Sequence, residues 1–513
     1  MASPPFHQRF LTLVAQIERS YAVARWISGD VPIWPLARMD LYLDMFWANV
    51  GSHGRPPKPR ALPLRMMSRA ATPLTNVWKS RRDLRHWVAR PRRADAIFLG
   101  DGVSLDCIDG AWQDRFGEPI FAALEKRGLS TFVMQSGELA RLPWHRATYA
   151  ANLIARRGAL ARFASRQPAE LPDHEAVLAF LSSNGVQALS LSRQALERRA
   201  AVLSATASAF EAVLRAVNPS LAFVVTYYAG LGAAFLLACR RRGILSIDLQ
   251  HCPQDGAHKA YGWGALPEHG YATLPAVFWN WTLRDAADIR RWTSTLSRPW
   301  HRSLHGGHTQ FSALLDAGPG GRKWRARFEM AAQGGAFERE ILVALQPIGG
   351  FRANWDSLVE QIQAAPATWR WWIRRHPAAA AYQDAEYLHL ISLRAANVMV
   401  QEASNLPLPV LLRHMSVVVS QFSGASTEGA FLGVPAIFLS EEARGQFSDL
   451  IDRGHARIVP VGRLIEAIAA LPARASGPTA LKFPDLEATL MELQQMAPGY
   501  AQLCRADARR GAE

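Results

Sequence analysis

Between Leu406 and Pro460 the chain reads LPLPVLLRHMSVVVSQFSGASTEGAFLGVPAIFLSEEARGQFSDLIDRGHARIVP, and this stretch constrains the fold more than any other. Met415 to Ser420 is a short apolar, β-branched run, the pattern of a strand buried on both faces. Gln421 to Thr427 is a small polar turn, and a helix is expected to open at Glu428-Gly429-Ala430. A second buried strand, Ala436 to Leu439, follows Gly433-Val434-Pro435. Strand, loop, helix, strand is a βαβ unit, and its loop falls at the carboxyl edge of the sheet, where open α/β sheets bind ligands. The loop offers the hydroxyls of Ser423, Ser426 and Thr427 and backbone N–H groups at a helix start, which together favour phosphate. Glu428, in the first turn, would repel a phosphate placed against it and is better used to accept hydrogen bonds from sugar hydroxyls. Ser426-Thr427-Glu428 reads equally well as a plain helix cap.

Similar units recur upstream. Ile341 to Leu345 is a strand ending in Gln346-Pro347, a helix is expected over 355–364, and Trp369 to Arg374 is a strand ending in Arg375-His376-Pro377. Proline stops that strand, leaving Arg375 and His376 at a sheet edge as an anion site built without metal. Nearer the N-terminus, the strand Asp95–Gly100 runs into Asp101-Gly102, with a helix expected over 111–127 and a strand over Thr131–Met134. Asp101 is a candidate catalytic carboxylate, or simply the first residue of an Asp-Gly turn. Residues 173–217 are alanine-rich and amphipathic, hence helical. Leu221 to Cys239 is uncharged and just long enough to cross a bilayer, but Tyr227, Tyr228, Gly230 and Gly232 divide it into a strand and a helix start. The next strand, Ile244–Leu249, ends in Gln250-His251. The His251 imidazole is suited to accept a proton near neutral pH, or to serve as a hydrogen-bonded structural histidine.

At 513 residues the chain is long enough for two α/β domains with appendages. The formal net charge of +15 fits nucleic acid, an anionic membrane face or anionic substrates. No zinc finger, RNA-recognition signature or regular helix-turn-helix is visible, so nucleic acid is not expected as a partner. Between Arg55 and Arg93 stand twelve Lys/Arg and a single acid, with six prolines and two tryptophans, which reads as a membrane-docking basic surface or as a solvated linker. The four cysteines are scattered, without a C-x-x-C pair, as in a reducing compartment, and give no metal site. Pro4, Pro5, His7 and Arg9 stand where a signal peptide needs an apolar core, so a cytoplasmic protein, peripheral at the inner membrane face, is expected.

Two motifs resemble those of GT-B glycosyltransferases, in particular transferases of bacterial capsule and surface polysaccharide biosynthesis. One is the Ser/Thr turn followed by Glu428-Gly429-Ala430-Phe431-Leu432-Gly433-Val434-Pro435; the other is the strand ending in Arg375-His376-Pro377. A third, looser match is Gly243-Ile244 to Gln250-His251, followed by a loop with Tyr261 and a Leu-Pro strand at Leu274-Pro275. Here Cys252 stands where the family has glycine, which makes the turn less permissive. Trp34-Pro-Leu-Ala-Arg38 also looks like the leader of such proteins.

The resemblance implies a GT-B fold, two Rossmann-like domains facing across a cleft, behind an N-terminal helical and basic extension (1–94). The acceptor domain would span 95–300, a linker 301–338, the donor domain 339–480 and closing helices 481–513. It further implies that Arg375, His376, Ser423, Ser426 and Thr427 hold the donor phosphates, that Glu428 and Glu402 touch ribose or base, and that His251 or Asp101 is the base. No metal and no cofactor is implied beyond the nucleotide-sugar co-substrate, and the acceptor would be a surface polysaccharide or lipid-linked glycan. Two alternatives share the architecture: a nucleotide-sugar 2-epimerase and a non-catalytic scaffold in a polysaccharide assembly complex.

Overall fold

Two all-parallel sheets organise the chain, and both follow from runs of apolar residues too continuous for a half-exposed strand. The computed structural model describes residues 6–50, 91–102, 104–108, 111–136, 144–161, 167–254, 256, 258–315, 319–332, 337–346, 350–376, 397–472 and 483–510. The chain forms two units. The N-terminal unit comprises Leu13–Gln250, Trp263–His305 and Leu486–Glu513; the C-terminal unit comprises Gly306–Asp485 with Met1–Thr12 and His251–Gly262.

The N-terminal unit contains strands β1 (Ala96–Gly100), β2 (Thr131–Gln135), β3 (Ala147–Ala150), β4 (Leu221–Val225), β5 (Leu245–Leu249), β6 (Val277–Asn280) and β7 (Arg302–His305). They lie in the order β7-β6-β5-β4-β1-β2-β3. The C-terminal unit contains β8 (Arg339–Ala344), β9 (Trp369–Arg374), β10 (Val398–Met399), β11 (Val417–Ser420), β12 (Ala436–Phe438) and β13 (Ala456–Ile458), ordered β10-β9-β8-β11-β12-β13. Counted within its own unit, each sheet starts 3-2-1-4-5-6, the order of the doubly wound dinucleotide-binding fold. The stretch Leu221–Cys239 divides as its tyrosines and glycines indicate, into β4 and the helix Gly230–Arg242.

In the C-terminal unit, Ile341, Val343, Trp371, Ile373, Val417 and Val419 share one face of the sheet and bury Trp355, Leu358, Val359 and Ile362 of the helix Gly350–Ala364. On β9, Trp372 stacks on Phe328, whose ring lies 3.8 Å from that of His414. Phe328 belongs to the helix Pro319–Ala331. Residues 301–338 therefore are not the expected linker: β7 and the helices Thr309–Leu315 and Pro319–Ala331 occupy them, secured by buried Phe311, Trp324 and Phe328. Their aromatic side chains are spread too irregularly for helical periodicity to show.

Two further expectations are corrected. The helix over 111–127 is shortened to Gly117–Lys126, because Ala111–Asp114 pairs antiparallel with Leu105–Ile108. Asp114 then ends the hairpin and accepts from the N–H groups of Phe116 and Gly117 at 3.0 and 2.8 Å. The N-terminal helices are not a separate extension either. From Leu13 onward they belong to the N-terminal unit, as does the closing helix Leu486–Arg510. Most of the basic stretch, residues 55–90, lies outside the described residues.

The leader-like Trp34–Arg38 segment has a structural account. Trp34 and Arg38 are four apart on the helix Trp34–Val50 and share a face. Both reach the carboxylate of Glu18, Trp34 Nε1 at 3.0 Å and Arg38 Nη1 at 3.1 Å. Gly264 N donates to the other oxygen at 2.6 Å, and the Arg38 guanidinium lies 4.2 Å above the Trp263 ring. The two charged side chains are 1% exposed. Removing one partner strands the other charge in an apolar site, so Glu18→Ala is expected to destabilise the N-terminal unit by roughly 3–5 kcal/mol, read from urea denaturation.

Acid sensitivity has a visible source in His301. Its Nδ1 donates to Pro275 O at 2.8 Å and its Nε2 accepts from Tyr271 N at 3.2 Å, an arrangement only the neutral ring satisfies. Burial lowers its pKa to about 3, helped by Arg240. The unfolded chain therefore binds a proton that the folded one refuses. The stability is whole above about pH 6.5 and is lost as pH falls through about 3, by about 5 kcal/mol in all. A His301→Gln variant, compared with the parent by denaturation at pH 7 and pH 4, is expected to show a distinctly flatter dependence.

Candidate functional site

In the C-terminal unit the strand order reverses between β8 and β11, the switch point at whose carboxyl edge doubly wound sheets form their ligand crevice. Ala344 pairs with Arg374 on one side and Ser420 on the other. The ends of β9 and β11 therefore stand two strand spacings apart, about 10 Å, on one edge of one sheet. Two residues beyond Ala344, Gln346 clamps the loop after β11. Its Nε2 donates to Phe422 O at 2.8 Å and its Oε1 accepts from Phe422 N at 3.1 Å.

The helix after this loop runs Ala425–Phe431, three residues earlier than expected. Ser426 thereby falls inside it, and its hydroxyl is fully buried 3.3 Å from Ser420 Oγ, facing inward rather than towards the crevice. The expected free N–H groups are largely used. Ser423 N bonds Ser420 Oγ, Ala425 N bonds Ser423 Oγ, Ser426 N bonds Ser423 O, and Thr427 N and Glu428 N bond Gly424 O. Ser423 and Thr427 remain partly exposed. The rest of the motif is helix termination: Gly433 N bonds Ala430 O, Val434 N bonds Gly429 O, and Gly433 has φ +72°, a Schellman end that needs glycine. Gly429 is small because a Cβ there would meet Val418 Cγ2 at 3.0 Å.

Glu428 is 6% exposed, and its Oε2 lies 3.4 Å from Nε2 of His308, which is fully buried. His308 sits against Phe311, with ring centroids 4.6 Å apart. Nothing local in the sequence marked His308, because the pair joins residues 120 positions apart. Gln346 did stand at a strand end in the sequence, but its partner, a backbone amide 76 residues away, was invisible.

At the end of β9 the buried cation is Arg374, which donates to Ala403 O at 2.7 Å and Leu406 O at 2.5 Å. It draws the helix Gln401–Asn405 against the strand, and Arg375 N bonds Ser404 Oγ at 3.2 Å. Arg375, His376 and Glu402, all partly exposed, thus share this corner of the edge. His251, expected beside the N-terminal sheet, belongs with Cys252 and Pro253 to the C-terminal unit. A Cβ built on Gly424 would lie 3.9 Å from Pro253 Cδ and 4.0 Å from Cys252 Cα, so this segment borders the loop before Ala425.

Asp101 is in the other unit, where β1 and β4 form the corresponding switch point. Its Oδ1 accepts from Ser104 N at 3.1 Å, as a turn aspartate does. Burial and then the Asp101 charge push the neighbouring Asp114 carboxyl up to about 7. Thr226, directly after β4, has φ +60°, a strained conformation for a β-branched residue of the kind that gathers at functional edges. Among the described residues no group of three or more His, Cys, Asp or Glu is disposed to hold a metal ion.

No protein-family model matches the chain, and no curated protein sequence does. Similar solved structures include two UDP-GlcNAc 2-epimerases. That from Methanocaldococcus jannaschii, in complex with UDP-GlcNAc and UDP, has 12% identity and a TM-score of 0.44, covering 78% of this chain and 98% of its own. That from Neisseria meningitidis, bound to UDP-GlcNAc, has 15% identity, a TM-score of 0.44 and the same coverage. The glycosyltransferase SnogD from Streptomyces nogalater is similar at 13% identity and a TM-score of 0.37, covering 82% of this chain and 99% of its own. Transferases and epimerases both occur among the matches.

The Gln346 clamp is directly testable. Gln346→Ala removes both bonds to Phe422 and is expected to cost about 1–3 kcal/mol in urea denaturation. Exchange of the Phe422 amide hydrogen should accelerate, while that of the Val419 amide in β11 stays slow.

Proposed function

We propose that the chain is a glycosyltransferase whose C-terminal unit binds a nucleotide-sugar at the carboxyl edge of its sheet. One observation carries the reading: at the switch point of a sheet in nucleotide-binding order, the clamped loop with Ser423 and Thr427 shares its edge with Arg375 and His376. Arg375 and His376 on one side and the hydroxyl-bearing loop on the other leave the same sheet edge from two strands flanking a third. Since the backbone donors of the helix start are mostly occupied, the donor phosphates would rest on Arg375, His376, Ser423 and Thr427. Ser426 would act indirectly, bracing Ser420 and the loop. Glu428, held by His308, and Glu402 would accept from ribose hydroxyls or base.

Leaving-group stabilisation would then come from preorganised side chains, which are effective because they need not reorganise as charge develops. His251, on the segment bordering Gly424, is the proposed base for the acceptor hydroxyl, with Asp101 as the alternative. A cytoplasmic bacterial enzyme acting on a surface polysaccharide or lipid-linked glycan, with residues 55–93 against an anionic membrane, fits the +15 charge and the sequence motifs.

The experiment is a thermal-shift screen with CMP, UDP, GDP and their sugars, followed by product analysis. A nucleotide present at a hundredfold its Kd is expected to stabilise the protein by about 2.7 kcal/mol, and His376→Ala should abolish that shift. Transfer to a glycan acceptor supports the proposal. Isomerisation of the free nucleotide-sugar would replace it with the 2-epimerase reading, and no shift with any nucleotide would leave a scaffold.

A further inference from the structure

The departure of the chain from glycine at position 252 places a thiol in unusual company. Cys252 Sγ lies 3.5 Å from His251 Nε2 and 3.7 Å from His258 Nε2. Lys259 follows on the same segment; burial lowers its ammonium, and the charge it shares with Cys252 raises it. Lys259 in turn faces His7 of the first helix, whose imidazole burial lowers to about 3 with help from that lysine. Two imidazoles thus flank one sulfur, which remains partly exposed, whereas Cys239 and Cys504 are buried and their thiols are pushed up by burial. The Cys252 backbone also abuts Gly424, where a bulky group on the sulfur would stand beside the loop holding Ser423.

We propose that Cys252 is a modification site, a nucleophilic thiol poised between His251 and His258 that takes soft electrophiles and peroxides. Its modification closes the adjoining carboxyl edge to anionic ligands. With an alkyl halide, a sulfur electron pair forms the S–C bond, halide leaves, and the thiol proton passes through an imidazole to solvent. With a peroxide, sulfur attacks one oxygen and the O–O bond breaks. Sulfur is oxidised by two electrons to the sulfenic acid, and the peroxide is reduced to water or alcohol.

The test treats the folded full chain with limiting iodoacetamide between pH 5 and 9 and reads each cysteine separately by peptide mass spectrometry. Cys252 is expected to react first, with a rate midpoint at least about one pH unit below the 8.5 of a free thiol. His258→Gln should raise the midpoint and slow alkylation at pH 6 by about tenfold. An ordinary midpoint near 8.5 in the parent protein, or a rate no greater than those of Cys239 and Cys504, overturns the proposal whatever the variant does. The closure rests on the nucleotide reading above, and it is followed by protection with inorganic diphosphate and by the UDP thermal shift before and after alkylation. Unchanged UDP and diphosphate binding by the alkylated protein overturns the closure. If the untreated protein binds neither, the nucleotide reading fails on its own, while the pH profile still decides the thiol.

Discussion

The parallel pairing of β8 with β9 on one side and β11 on the other is the constraint on which the C-terminal unit depends. Ala344 is in register with both Arg374 and Ser420, and the chain must leave the central strand in one direction and return beside it from the other. In doubly wound sheets, connections that run to opposite sides at this point leave a crevice at the strand ends. The crevice is therefore a consequence of topology, and side chains need only furnish it. Gln346 converts the opening into a fixed shape by using both halves of its amide on one residue of the opposite loop. The same order of strands in the N-terminal unit sets Asp101 and the strained Thr226 at the equivalent place.

Buried or half-buried carboxylates recur at the points where sequence-distant segments must meet. Glu18 gathers Trp34, Arg38 and Gly264; Glu340 accepts from Arg370 Nε at 2.9 Å and Trp372 Nε1 at 2.7 Å; Glu428 meets His308. Desolvating such a charge is costly, and its attraction to a partner offsets the cost only where geometry is good and the remaining oxygens are satisfied. These groups consequently specify one arrangement more than they add stability. A slipped β8 or β9 would part Glu340 from Arg370 and Trp372 together.

The motif from Glu428 to Pro435 separates into two jobs once its geometry is known. Gly429 permits close packing on Val418, Gly433 ends the helix in the left-handed region, and Pro435 opens the next strand; all three serve the backbone. Glu428 is the member whose burial beside His308 has no such explanation in helix termination. A sequence pattern shared with a family can therefore reflect the requirements of a βα corner as much as those of a ligand.

Much of the fold was legible because parallel strands buried on both faces leave uninterrupted apolar runs, as in Val417–Val419 and Leu221–Val225, and because glycine and proline mark their ends. The hairpin at Leu105–Asp114 and the helices within 301–338 escaped, since their residues answer to partners far away rather than to a local period. Of the candidate site, Arg375, His376, Ser423 and Thr427 could be placed at a carboxyl edge from strand ends and the turn that follows, whereas Glu402 came only through the family resemblance. The inward turn of Ser426, the occupied N–H groups, Gln346 opposite Phe422, His308 against Glu428 and the company around Cys252 could not. The chain by itself determined two doubly wound sheets and which residues stand at their edges, because periodicity and turn chemistry act over a few neighbouring residues. Only the tertiary structure decided which way those side chains point and what they touch, because hydrogen bonds and desolvation depend on the folded path of the backbone and on groups such as Gln346 with Phe422 and His308 with Glu428, 76 and 120 positions apart.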